Sequence, residues 1–165
     1  MKQTDPVQFA APLAKGAASQ NAALCWRMHR GRVQVLLVTS RDTGRWIVPK
    51  GWPMTGKTPA EAAAIEAWEE AGVLGEVDGN APLGHYAYDK LRAPKACIAC
   101  IVSVFALRVA TLSDKFPERR QRRRKWFDAQ KAAQKVAEPD LRALLGQLSF
   151  DGQRLLNAAG GQKPA

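Results

Sequence analysis

Apolar and polar positions change rhythm several times along the chain, and each change marks an element. Asn21 to Met28 (NAALCWRM) and Arg32 to Thr39 (RVQVLLVT) are both rich in apolar and β-branched residues, with His29-Arg30-Gly31 between them. Two such runs around a short Gly-bearing turn predict a hairpin. Trp46-Ile47-Val48 is a third, shorter apolar run, closed by Pro49, which cannot donate to a ladder. Gly51, Pro53 and Gly56 then punctuate a loop. Thr58 supplies an N-cap, Pro59 suits the first helical position, and Glu61 completes a Thr-x-x-Glu capping box. The run AEAAAIEAWEEA favours helix throughout and Gly72 stands where a C-cap belongs, so a helix of about three turns is predicted.

Past Gly72 the rhythm returns to strands. Val73 to Val77 is a short one, Asp78-Gly79-Asn80 a turn, and Leu83 to Tyr88 another strand. Asp89 to Lys95 reads as a basic loop. Residues 96–109 form the longest apolar run, and such near-continuous hydrophobicity predicts a central strand buried on both faces. A charged stretch, Ser113 to Lys125, precedes a Trp126-Phe127 strand. Asp128 is placed to cap a helix through about Val136, and Pro139 opens a second one to about Leu148. Alternating strands and helices make this an α/β chain. Residues 1–20, rich in Ala, Gly, Pro and Gln, are expected to be a loosely ordered arm, 21–150 one domain, and 151–165 a tail.

Composition narrows the picture. With 165 residues, 46% of them hydrophobic, one domain with an ample core is expected. No apolar run approaches the roughly 20 residues of a membrane span, and Pro12 and Lys15 break the only apolar patch near the N-terminus. A cytoplasmic protein without membrane partners is the expectation. Cys97-x-x-Cys100 has half the spacing of a zinc or redox motif, but the third cysteine, Cys25, is far away in sequence. Both lie in an apolar run, where Cys acts as a small hydrophobe. The net charge of +10 calls for polyanionic partners: an anionic polyphosphate small molecule first, nucleic acid second. Nothing in the residues fixes an oligomeric state.

Candidate chemistry sits on the capped helix. Glu66, Glu69 and Glu70 are spaced i, i+3 and i+4 and share one face, where like charges cost a few tenths of a kcal/mol per pair. A divalent cation removes that penalty, and oxygen donors without nearby His or Cys select Mg²⁺ or Mn²⁺ over zinc. The spacing alone suits a solvated acidic face as well. His85, alone in its strand, reads as structural.

From Gly51 to Val73 the segment resembles the Nudix box, Gly-x5-Glu-x7-Arg-Glu-U-x-Glu-Glu-x-Gly-U with U apolar. Gly51, Glu66, Ala67, Glu69, Glu70, Gly72 and Val73 match; Lys57 stands in place of Glu and Ile65 in place of Arg. In the family that Glu and Arg are thought to brace the loop against the helix, and changing both partners costs less than losing one. The resemblance implies a Nudix fold, an α/β/α sandwich with a mixed sheet between helices. It also implies that Glu66, Glu69 and Glu70 ligate Mg²⁺ or Mn²⁺ and carry diphosphate hydrolysis.

From about Ala22 to Leu145 the order is also similar to one branch, the diphosphoinositol polyphosphate and diadenosine polyphosphate hydrolases. RWIVP before the box and a basic run before Trp126-Phe127 carry that likeness, whereas Lys50-Gly51-Trp52 replaces the triple glycine of eukaryotic members. Arg41, Arg45, Lys50, Gly51, Arg124 and Lys125 are then the expected substrate contacts. Two further readings remain: a non-catalytic module that binds a phosphorylated ligand, and an RNA 5′-end pyrophosphohydrolase.

Overall fold

The computed structural model describes residues 17–92 and 96–150. Strand β1 (Ala18–His29) and strand β2 (Arg32–Thr39) pair antiparallel, with Trp26 opposite Val35 and His29 opposite Arg32. Arg30 and Gly31 both have positive φ, 50° and 76°, so the predicted turn is of the mirror-image kind that matches strand twist. The chain then adds β3 (Trp46–Ile47), β4 (Lys50–Gly51), helix α1 (Pro59–Ala71), β5 (Val73–Val77), β6 (Gly84–Arg92), β7 (Ala96–Leu112), β8 (Arg124–Asp128), α2 (Ala129–Lys135) and α3 (Pro139–Phe150).

Two boundaries correct the sequence reading. β1 begins at Ala18, and Ala18, Ser19 and Gln20 pair in parallel with Cys100, Ile101 and Val102. The loose arm therefore does not extend to residue 20; residues 1–16 and 151–165 lie outside the described residues. β6 continues through Arg92, because Asp89 to Arg92 pair with Ala96 to Ala99, so most of the expected basic loop is ladder. Propensity did not announce this: Asp and Lys are poor strand formers, and the long apolar β7 beside them supplies the pairing partner.

The path through the sheet is β3-β2-β1-β7-β5, with β4 on the end of β1, β6 on β7 and β8 on β2. The β1–β7 pairing is parallel and the others antiparallel, which makes the sheet mixed. β7 is central, as its apolar length predicts. On one face Leu24, Trp26, Val35, Leu37, Val102 and Val104 pack with Ala132, Leu141, Leu145 and Leu148 of α2 and α3. On the other, Ala23, Cys25, Leu36, Val38, Phe105 and Leu107 meet Ala63, Ala67 and Ala71 of α1. The α/β/α sandwich follows. Small side chains on the inner face of α1 let it lie close to the sheet, and that closeness sets where its glutamates fall. Cys100 is buried and free, consistent with its reading as a small hydrophobe, and so is Cys25; the side chain of Cys97 lies outside the described ones.

Local signals around α1 are realised in full. Thr58 Oγ1 accepts from the Glu61 N–H at 3.1 Å, the Glu61 carboxylate accepts from the Thr58 N–H at 3.4 Å, and Gly72 caps at φ 66°. Asp128 differs. It precedes α2 but makes no side-chain cap; its carboxylate accepts instead from Arg32 (3.2 Å) and Gln34 (3.0 Å), because β8 lies beside β2. Among the described residues no helix is long and apolar enough to cross a membrane.

Candidate active site

A cleft of about 680 Å³ opens where β4, the outer face of α1 and the loops after β2 and β7 meet. Glu66, Glu69 and Glu70 line it from the helix, Lys50 and Gly51 from β4, Arg41 and Arg45 from the 40–45 loop, and Glu118 and Arg122 from the loop before β8. Chain geometry explains the convergence. Val48-Pro49-Lys50 turns back so that Lys50 and Gly51 pair with Ala22 and Asn21, which sets Gly51 directly against α1.

Glycine at 51 is a steric requirement. A Cβ there would fall 2.0 Å from Glu66 Oε1 and 2.2 Å from its Cδ, so the Glu66 carboxylate occupies the space of the missing side chain. Glu70 is almost fully buried, at 5% exposure. Its Oε2 accepts the Lys50 backbone N–H at 3.3 Å and its Oε1 accepts from Arg122 at 3.2 Å. Burial pushes the Glu70 carboxyl up to about 7, against the pull of Arg122 and Lys50. Glu66 is raised to about 6, first by burial and then by Glu69 and Glu118. Lys50 is drawn down to about 8 by burial, opposed by Glu70 and Glu138. Its ammonium sits 5.0 Å from the centre of the Tyr88 ring.

Glu118 was not singled out in the sequence, and Arg122 only as a member of the basic run before Trp126-Phe127. Glu118 donates its backbone N–H to the Glu69 carbonyl at 2.9 Å, tying the distal loop to α1. Its carboxylate meets Arg41 at 3.3 Å and Arg122 at 3.5 Å. Arg122 bridges Glu70 and Glu118 and also donates to the Thr39 carbonyl at 3.0 Å. The basic run was the available signal for Arg122; Glu118 had none, since i, i+4 spacing pairs charges on a helix and these residues lie in turn and loop. Lys57 is exposed and Ile65 half-buried, so neither departure leaves an unpaired buried charge. A guanidinium reaches the helix glutamates from Arg122 instead.

Other expected contacts lie elsewhere. Arg124 donates to the carbonyls of Ala71 (2.7 Å) and Ser113 (2.8 Å), securing the C-terminal end of α1. Lys125 is exposed, over the Phe127 ring at 5.3 Å. Neither lines the cleft; of the cationic run 119–125, Arg122 does. The physical reason is that β8 is committed to β2, with Lys125 opposite Leu37 and Arg124 opposite Val38. His85 stays outside the cleft, with burial drawing its pKa down.

Among the described residues no three His, Cys, Asp or Glu side chains are already drawn together as a metal cage. The donor chemistry nevertheless fits a hard divalent cation. Glu66 and Glu70 offer only oxygen, and burial and neighbouring carboxylates raise both, a penalty that a cation relieves. Glu66, Glu69, Glu70 and Glu118 are the cleft carboxylates that could hold one.

A family model described as the NUDIX domain matches residues 18–148. The chain belongs to the NUDIX family. Among its relatives, this Nudix chain is 34% identical over 104 residues to Nudix hydrolase 12, mitochondrial, of Arabidopsis thaliana, covering 61% of this chain and 51% of that protein. It is 30% identical over 120 residues to diphosphoinositol polyphosphate phosphohydrolase 3-beta of Bos taurus, covering 72% of this chain and 68% of that protein. The chain thus spans about half the length of the Arabidopsis relative. Solved structures share the Nudix fold. The E. coli dihydroneopterin triphosphate pyrophosphohydrolase aligns with a TM-score of 0.60 at 18% identity, over 81% of this chain and 95% of that one. The C. elegans Ap4A hydrolase aligns with 0.56 at 18%, over 88% and 99%. Nudix hydrolases generally use divalent metal ions.

Proposed function

We propose that the chain is a hydrolase dependent on Mg²⁺ or Mn²⁺ that cleaves phosphoanhydride bonds in highly phosphorylated small molecules. Dinucleoside polyphosphates and diphosphoinositol polyphosphates are the substrate classes, in keeping with the names of its relatives. One observation carries the reading: the Glu66 carboxylate lies over the bare backbone of Gly51, with Glu70 and Lys50 directly behind. Acidic oxygens and a lysine ammonium thus share one cleft.

When bound, the divalent ion supplies charge neutralisation on the phosphates and lowers the pKa of an attached water. The protein's own groups do the rest. Two or three of Glu66, Glu69, Glu70 and Glu118 would hold the cation, and a carboxylate of that set not engaged with it takes the proton of the attacking water. Gly51 leaves room for the Glu66 carboxylate against the main chain, where a Cβ would displace it. Arg41, Arg45, Lys50 and Arg122 orient the polyanion by charge-assisted hydrogen bonds.

Exposed Arg119, Arg120 and Arg123, near in sequence to the cleft residues Glu118 and Arg122, favour a second reading, a substrate as large as RNA bearing a 5′-triphosphate. The test is a substrate panel with Mg²⁺ or Mn²⁺ containing diadenosine polyphosphates, diphosphoinositol polyphosphates and 5′-triphosphorylated RNA, with products identified. Turnover of at least one member, lost with Glu70→Gln, is expected. A panel that binds without turning over would make the chain a binding module. Exclusive turnover of the RNA would select the second reading.

A further inference from the structure

The cleft arginines are each matched to a carboxylate, but not in the same way. Arg41 meets Glu118, and Arg122 meets Glu70 and Glu118. Those carboxylates line the cleft themselves. Arg45 is different. Its Nη1 meets Glu138 Oε1 at 2.7 Å, and Glu138 comes from the opposite layer, immediately ahead of Pro139 in α3. Its side chain is 8% exposed and does not line the cleft. The backbone holds Arg45 in place too: its N–H donates to Ser40 Oγ at 3.2 Å and its carbonyl accepts the Ser40 N–H at 2.8 Å.

We propose that Glu138 is a specificity-determining residue: by keeping Arg45 in a charge-neutral pair at the back of the cleft, it limits how strongly the site rewards each additional negative charge on the substrate. Arg45 keeps donors for phosphate oxygen, while its charge is offset by a partner that no cleft ligand can displace. Glu138 also lies close enough to Lys50 to favour its charged form, so one carboxylate sets the field at two of the cleft's cations.

The inference rests on the cleft being the polyphosphate site, so binding and turnover are measured separately. Affinities of inorganic pyrophosphate, tripolyphosphate and tetrapolyphosphate are determined calorimetrically with the full chain, at one fixed Mg²⁺ concentration. Glu138→Gln keeps an oxygen acceptor for Arg45 and removes the charge. Each added substrate charge is then expected to tighten binding by a further two- to fourfold or so over wild type, as a unit charge about 10 Å away gives in a half-wet cleft. High salt should shrink the difference. The double variant Glu138→Gln/Arg45→Gln removes both charges of this half-buried pair together and should return the wild-type dependence on charge.

The same dependence in Glu138→Gln as in wild type overturns the proposal. If that variant does not fold, the double variant decides: a flatter dependence than wild type would mean that the Arg45 charge was never offset. Polyphosphate binding without turnover sinks the hydrolase reading and leaves this one standing.

Discussion

Arg122 takes on a task that the residues of its own neighbourhood do not advertise, and removing it makes a quantitative test. Its side chain is 7% exposed and that of Glu70 is 6%, with 3.2 Å between Nη2 and Oε1. Taking away one member of a buried ion pair strands the other, at a cost of about 3–5 kcal/mol. Arg122→Met keeps most of the side-chain volume, so cavity formation adds little. The loss of its bond to the Thr39 carbonyl adds about 1 kcal/mol. Glu118 retains Arg41 at 3.3 Å and is not left alone. In the metal-free protein at about pH 9, above the Glu70 value of about 7, Arg122→Met should therefore lower stability by about 4 kcal/mol, which in a domain of this size moves Tm by roughly 10 °C; at neutral pH Glu70 takes up a proton and the loss is smaller. Glu70→Gln in the Arg122→Met background removes the stranded charge, and the double variant should lie within about 2 kcal/mol of wild type. Urea unfolding of the four proteins of the cycle measures this coupling. Additive costs would refute the reasoning, because they would show that Arg122 and Glu70 do not answer to each other.

Two further outcomes follow from single contacts. Gly51→Ala should fold, because the atoms its Cβ meets belong to the end of the Glu66 side chain, but with Glu66 displaced hydrolysis should fall about a hundredfold. Unimpaired turnover on the substrate panel would separate Glu66 from the chemistry. Asp78 Oδ2 is buried without a hydrogen-bond partner and burial raises its pKa, with Trp26 and Arg108 pulling the other way. A carboxyl raised on folding contributes stability below its unfolded pKa and loses it as pH rises through the folded value. Asp78→Asn should therefore gain on wild type as pH rises above about 4 in urea unfolding, and a gap that does not change with pH would count against the assignment.

Strong local codes were legible in the chain. The hairpin turn at Arg30-Gly31, the Thr58–Glu61 capping box and the Gly72 cap each rest on neighbours within a few residues, so the sequence sufficed to place them. Helical spacing likewise put Glu66, Glu69 and Glu70 on one face before any fold was known. The apolar length of residues 96–109 also marked the central strand.

Pairing between distant segments was not legible. The extension of β1 to Ala18 and of β6 to Arg92 depends on β7 offering free ladder groups to both. The cationic run 119–125 reads as one patch, yet the fold divides it: Arg122 enters the cleft, Arg124 holds the end of α1, and Lys125 faces out from β8. Glu138 and Arg45, 93 residues apart, meet only because the loop after β2 and the start of α3 close on the same end of the sheet. The sequence by itself determined the helix, its caps and the acidic face that the chemistry needs, since those are short-range matters of propensity and period. Tertiary structure alone decided which cations surround that face, because a charge 50 or 90 residues away in sequence has no local signature until packing brings it within a few ångströms.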